Sequence, residues 1–77
     1  MRMYRKIKED NDKAVYEYLW SDYKKPYTGL VEINKKDLSY KVLKVADGDP
    51  RPEYAGVYAM TALSRNNYPE TYTHTAS

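Results

Sequence analysis

The sequence predicts an α+β fold: a small antiparallel β-meander of three to four strands with one C-terminal helix packed on one face. Three observations carry that expectation. Residues 13–20, KAVYEYLW, alternate side-chain type with the period of two that a strand imposes. Residues 29–34, GLVEIN, and 38–46, LSYKVLKVA, are β-rich runs joined by a short polar stretch, which reads as a hairpin. Residues 52–65 start at a proline and then space small and aromatic residues as a helix does.

MYRKIK at 3–8 alternates loosely, with Met3, Arg5 and Ile7 on one side, and runs into the turn-like EDND at 9–12. In the next strand Ala14, Tyr16, Tyr18 and Trp20 share one face, and Val15, Glu17 and Leu19 the other. Aromatic and β-branched residues favour such a strand. SDYKKPYT at 21–28 is expected to be a loop, because Pro26 and a polar cluster interrupt a regular ladder. The NKKD tip lacks Asn-Gly or Asp-Gly, so a four-residue connection is expected. Leu38, Tyr40 and Val42 share one face of the returning strand, and Leu43 and Val45 the other.

Gly48, Pro50 and Pro52 forbid regular structure before position 52. Proline costs nothing in a first helical turn, and Glu53 complements the dipole there. At 100° per residue, Tyr54, Ala55, Tyr58, Ala59, Ala62 and Leu63 form the expected inward stripe. Gly56, Val57, Met60, Thr61 and Ser64 lie opposite. Alanines let the helix approach the sheet closely while tyrosines cover the seam, a way to build a core without phenylalanine. The domain is expected to span 1–66. Residues 67–77 form a polar tail that is expected to fray or lie loosely on the body, with Tyr68 and Tyr72 able to anchor it.

A chain of 77 residues forms one domain at most and buries only about 60% of its unfolded surface. Without cysteine, disulfides and thiolate metal sites are excluded as reinforcement. Tight packing or a homodimer remain. No apolar run follows the basic start and no stretch approaches membrane-helix length, so a cytoplasmic protein without membrane contact is expected. The net charge of +2 does not demand a polyanion, but it is uneven: residues 1–44 carry +4 and residues 45–77 carry −2. Lysines on strand faces also discourage edge-to-edge pairing.

Little catalytic chemistry is available. A nucleophilic site needs a nucleophile, a base and an orienting group, and the only imidazole, His74, sits in the polar tail. Asp47 and Asp49 could pair for acid–base work or hold a hard cation, and Glu53 could join them. The missing further carboxylates favour a turn that caps the helix. Gly29, Gly48 and Gly56 are scattered and make no phosphate loop. No enzyme activity, cofactor or metal is expected.

Tyr16-Glu17-Tyr18, GLVEI at 29–33, KVLKVA at 41–46, Tyr54-Ala55 and ALSR at 62–65 together resemble a group of small uncharacterised proteins from Gram-positive bacteria and their mobile elements. The resemblance spans about residues 14–65. Lys36-Asp37 stand where that group usually has Thr-Gly, and Thr61 and Asn66 where histidine and isoleucine are common. The resemblance implies the fold and no activity.

Two binding functions fit the ten tyrosines and single tryptophan. The leading expectation is a non-catalytic module that binds a protein and acts as an inhibitor or regulator, phage- or mobile-element-encoded. Tyr23, Lys24, Lys25 and Tyr27 would form its contact, since Tyr and Trp dominate interface hot spots. The alternative is a nucleotide or single-stranded nucleic acid stacking on Tyr16, Tyr18, Trp20 and Tyr40 near Lys24, Lys25, Lys41 and Lys44. Self-association through exposed rings is the plainest use of the same residues.

Overall fold

The computed structural model describes residues 2–21, 26–49 and 51–74. Five strands form one antiparallel sheet: β1 (Arg2–Glu9), β2 (Lys13–Ser21), β3 (Pro26–Asn34), β4 (Ser39–Lys44) and β5 (Thr71–His74). Their order across the sheet is β4-β3-β2-β1-β5. Helix α1 (Pro52–Tyr58) runs into a π-helical turn, Ala59–Leu63, and crosses one face. The α+β fold is as the sequence predicts, with a fifth strand added from the tail.

The hairpins follow from local chemistry. At the β1–β2 turn, the Asp10 carboxylate accepts the amides of Asp12 and Lys13, each at 2.8 Å. Such Asx contacts fix turns without glycine. At the β3–β4 tip, Asn34 accepts the Lys36 amide at 2.9 Å and Asp37 accepts the Ser39 amide at 3.0 Å. The connection is four residues long, 35–38, between the paired Asn34 and Ser39. Leu38 belongs to this turn and not to the strand face with Tyr40 and Val42. It takes the left-handed backbone at φ 54° and is 52% exposed. That conformation costs a non-glycine residue about 1–2 kcal/mol. Leu38→Gly is therefore expected to stabilise the chain by about 0.5–1 kcal/mol, read as a higher urea midpoint at unchanged slope.

Pro26 does not break the ladder; it begins β3 opposite Ser21, the strand position that a residue without N–H tolerates. Of the loop expected over 21–28, Ser21 and residues 26–28 belong to strands, and residues 22–25 lie outside the described residues. The tail is also corrected. Tyr68 N–H donates to Leu63 O at 2.8 Å as the helix ends, with Asn67 and Tyr68 at positive φ. This reverses the chain and brings Thr71–His74 alongside β1, with Tyr72 opposite Tyr4. Lys6 N–H donates to Glu70 O at 2.8 Å just before the strand begins. Tyr68 and Tyr72 do pack against the core, as expected of anchors.

The core lies between α1 and one sheet face. The sheet contributes Tyr4, Ala14, Tyr16, Tyr18, Val31 and Ile33; the helical segment contributes Ala55, Ala59 and Leu63. The inward stripe is therefore narrower than predicted and rotated. Tyr54 points out, Tyr58 is half-buried, and Gly56 is buried against the sheet. A Cβ on Gly56 would lie 2.1 Å from a Tyr40 ring carbon, so the missing side chain is the space that Tyr40 fills.

Candidate functional site

Tyrosine takes the place of phenylalanine beneath the helix, and its hydroxyls have specific duties. Tyr4 Oη donates to Ala55 O of α1 at 2.7 Å. Tyr16 Oη donates to Pro69 O in the segment leading to β5. Tyr18 Oη accepts the Ala46 amide at 2.9 Å, just after β4. Tyr4 and Tyr16 also meet edge to face, with ring centroids 6.5 Å apart. Three rings on two adjacent strands thus bind three later segments of the chain to the sheet.

This arrangement corrects the stacking site inferred from the sequence. Tyr16 and Tyr18 have no exposed surface, so neither ring face can receive a base. Tyr40 is half-buried on Gly56. Trp20 and Tyr27 pair across β2 and β3, but their side chains lie outside the described set. Tyr23, Lys24 and Lys25 lie outside the described residues altogether. They belong to the connection immediately beyond the Ser21–Pro26 pair.

The opposite face is different in kind. No described element lies over it, and the strand register arranges its side chains in three rows. The first holds Lys8, Val15, Glu32 and Lys41, with Val15 itself buried at 5% exposure among these neighbours. The second holds Thr71, Arg5, Glu17, Leu30 and Lys44. The third holds Thr73, Met3, Leu19 and Thr28. Met3 is 42% exposed there. Arg5 and Glu17 pair directly at 2.8 Å, and Lys13 reaches Glu32 at 3.7 Å. Both are partly solvated pairs of the kind worth about 0–1 kcal/mol. A shallow depression of about 270 Å³ crosses the third row, bounded by Met3, Arg5, Glu17, Leu19, Thr28 and Thr73. The sequence pattern assigned Val15, Glu17 and Leu19 to this face but did not show which partners joined them. It also placed Ile7 with Met3 and Arg5, whereas a bulge between Lys6 and Lys8 interrupts that alternation.

At the end of the sheet near the β1–β2 turn, Glu9 accepts hydrogen bonds from Lys35 and from Lys6, the latter at 2.6 Å. Lys35 also lies 4.7 Å from the Tyr68 ring centroid. The Lys35 and then the Lys6 hydrogen bond hold the Glu9 carboxyl below its ordinary value, and the bond to Glu9 raises Lys6. Burial pushes the Tyr16 phenol up, helped by Glu9 and Glu70.

The signs give a pH profile. The Glu9 contribution is complete above its ordinary 4.5 and disappears as pH falls through the lower folded value. The Lys6 and Tyr16 contributions are complete below 10.5 and 10.0 and diminish as pH rises beyond them. Melting temperature should therefore be flat through neutrality and fall at both ends. Glu9→Gln should shrink the acid fall, and Tyr16→Phe the alkaline one. Identical limbs in parent and variants would refute these assignments.

The acidic residues before α1 make a turn. Asp49 is buried; its amide donates to Ala46 O and its carboxylate accepts the Arg51 amide, both at 3.0 Å. Asp47 and Glu53 are exposed. Among the described residues, no three acidic or histidine side chains converge as metal ligands do. His74 ends β5 opposite Arg2. No helix among the described residues is long and apolar enough to cross a membrane. Comparison with protein-family models, curated proteins and solved structures finds no match to this chain.

Proposed function

We propose that this chain is a small non-catalytic binding module that works by protein–protein contact in the cytoplasm. It would act as an inhibitor or regulator of a larger protein, in keeping with the resemblance to small proteins of bacterial mobile elements. The observation that supports this reading is the asymmetry of the sheet. One face is filled by tyrosines and closed by α1, while the other carries Met3, Leu19 and Leu30 with no described element above them. Tyrosines 4, 16 and 18 are committed to internal hydrogen bonds, which weakens the nucleotide-stacking alternative.

The connection between β2 and β3, with Tyr23, Lys24, Lys25 and the adjoining Tyr27, is the proposed flank of the contact. The strands that flank it end two residue pairs beyond the third row, at Ser21 and Pro26. Affinity capture from the native host with Tyr23→Ala/Tyr27→Ala beside the parent tests this. The double variant is expected to retain less partner at a nearly unchanged melting temperature. Equal retention removes the loop from the contact.

A further inference from the structure

We propose that the uncovered sheet face docks an acidic protein segment and seats one of its apolar side chains in the depression between Met3, Leu19, Thr28 and Thr73. The inference rests on the binding-module reading and assigns its partner chemistry. Charge argues first. Counted along its strand rows, the open face carries Arg5, Lys8, Lys13, Lys41 and Lys44 against Glu17 and Glu32, an excess of three positive charges, with Glu9 and Asp10 bordering its turn end beside Lys8 and Lys13. The whole chain has a net charge of only +2. The cationic excess is therefore gathered on the one face that the fold leaves open. Arg5 and Lys13 each have a carboxylate partner on the face. Lys41 lies opposite Glu32 and Lys44 opposite Leu30 on the outermost strand, well placed to meet acidic groups arriving from outside. Complementary potential of this kind steers encounter and rejects like-charged partners.

Shape and polarity identify the class of polyanion. A single-stranded nucleic acid would want aromatic platforms between the cations. The aromatic side chains described on the sheet belong to the helix-covered side or pack against its core, whereas this face offers Met3, Leu19 and Leu30. At about 270 Å³, the depression is small for a cofactor-sized ligand and suited to one aliphatic or aromatic side chain. An acidic segment with an apolar anchor satisfies both features. A second copy would bring the same cationic excess to the contact and be repelled by it.

The test uses the full chain, isotope-labelled, titrated with a synthetic peptide of glutamates around one central leucine. Comparators are the same peptide with serine for leucine, and an oligothymidylate of equal charge. The expected result is signal shifts at Met3, Leu19, Thr28 and Leu30 with none at Ala55, Ala59 and Leu63. Affinity should fall about tenfold or more with Lys41→Glu/Lys44→Glu, with added salt, and on loss of the leucine. Both lysines are exposed, so the charge-reversed chain should keep its fold, checked by its melting curve. Absence of shifts on this face overturns the inference. So does tighter binding of the oligothymidylate there, or shifts of the same residues that depend on protein concentration alone. Host capture separates the two levels of the argument. A protein retained equally by parent and charge-reversed chains overturns the face and leaves the binding module standing. A parent that retains no protein overturns the binding module itself.

Discussion

Gly29→Ala is expected to lower the melting temperature by on the order of 15 °C or more, or to prevent folding. A Cβ at this position would lie 2.5 Å from Lys44 O, 2.5 Å from Tyr18 Cε1 and 2.6 Å from Tyr18 Cζ. None of these atoms can withdraw easily. The Lys44 carbonyl is backbone at the end of β4, beside the irregularity at Leu30/Val31 where β3 and β4 shift register. The Tyr18 ring is fully buried and its hydroxyl holds the Ala46 amide. Overpacking a formed core costs about 1–3 kcal/mol and sometimes more; contact with fixed backbone places this case at the upper end. A chain of this length has about 4–12 kcal/mol of stability in all, and each kcal/mol moves the midpoint by about 4–8 °C. Gly56→Ala is the natural comparison. Its added methyl also meets a ring, that of Tyr40, but one only half-buried, and the substitution regains up to about 1 kcal/mol of helix propensity. Thermal melts followed by circular dichroism should rank Gly29→Ala as the more damaging. The reverse order would mean that the β3–β4 contact is looser than described.

Replacing Tyr4, Tyr16 and Tyr18 together by phenylalanine should cost about 3–6 kcal/mol although every ring remains. Each hydroxyl binds a backbone group, and stranding such a partner in a buried site costs about 1–3 kcal/mol. The single variants should be distinguishable by where they loosen the chain. Tyr4→Phe releases the Ala55 carbonyl and should weaken α1 against the sheet. Tyr16→Phe releases the Pro69 carbonyl and should free the approach to β5. Tyr18→Phe orphans the Ala46 amide at the exit of β4. Amide hydrogen exchange checks this residue by residue, with the Ala46 amide exchanging faster in Tyr18→Phe. Uniform loosening in all three would show that the hydroxyls act through the core as a whole.

These hydroxyls also explain what the sequence could and could not convey. Period-two alternation in KAVYEYLW and the polar NKKD tip are local signals, so β2 and the β3–β4 hairpin were legible. Pro52 marked the helix start for the same reason. The fifth strand was not legible, because TYTH is short and polar. Its place depends on long-range contacts from Tyr16 and Lys6 to residues near 70. The helical stripe was misplaced within α1 itself, where Tyr54 faces out and Gly56 faces in, while Ala59 and Leu63 of the π turn are buried as the wheel predicts. The wheel also credits large side chains with burial, whereas Tyr40 needs the void at Gly56. For the site, β2 alone indicated that Glu17 and Leu19 share a face. Only the register added Arg5 from β1 and Lys41 and Lys44 from β4, because cross-strand neighbours are set by pairing rather than by spacing along one chain.

Everything functional depends on one sheet face being sealed and the other open to solvent. Paramagnetic relaxation by a neutral, soluble gadolinium chelate measures this directly on methyl groups. Met3, 42% exposed, should relax strongly, while Val31, Ile33 and Leu63 should be nearly untouched. Protection of Met3 and Leu19 equal to that of Ile33, in a chain that sediments as a monomer, would show both faces closed and would contradict the account.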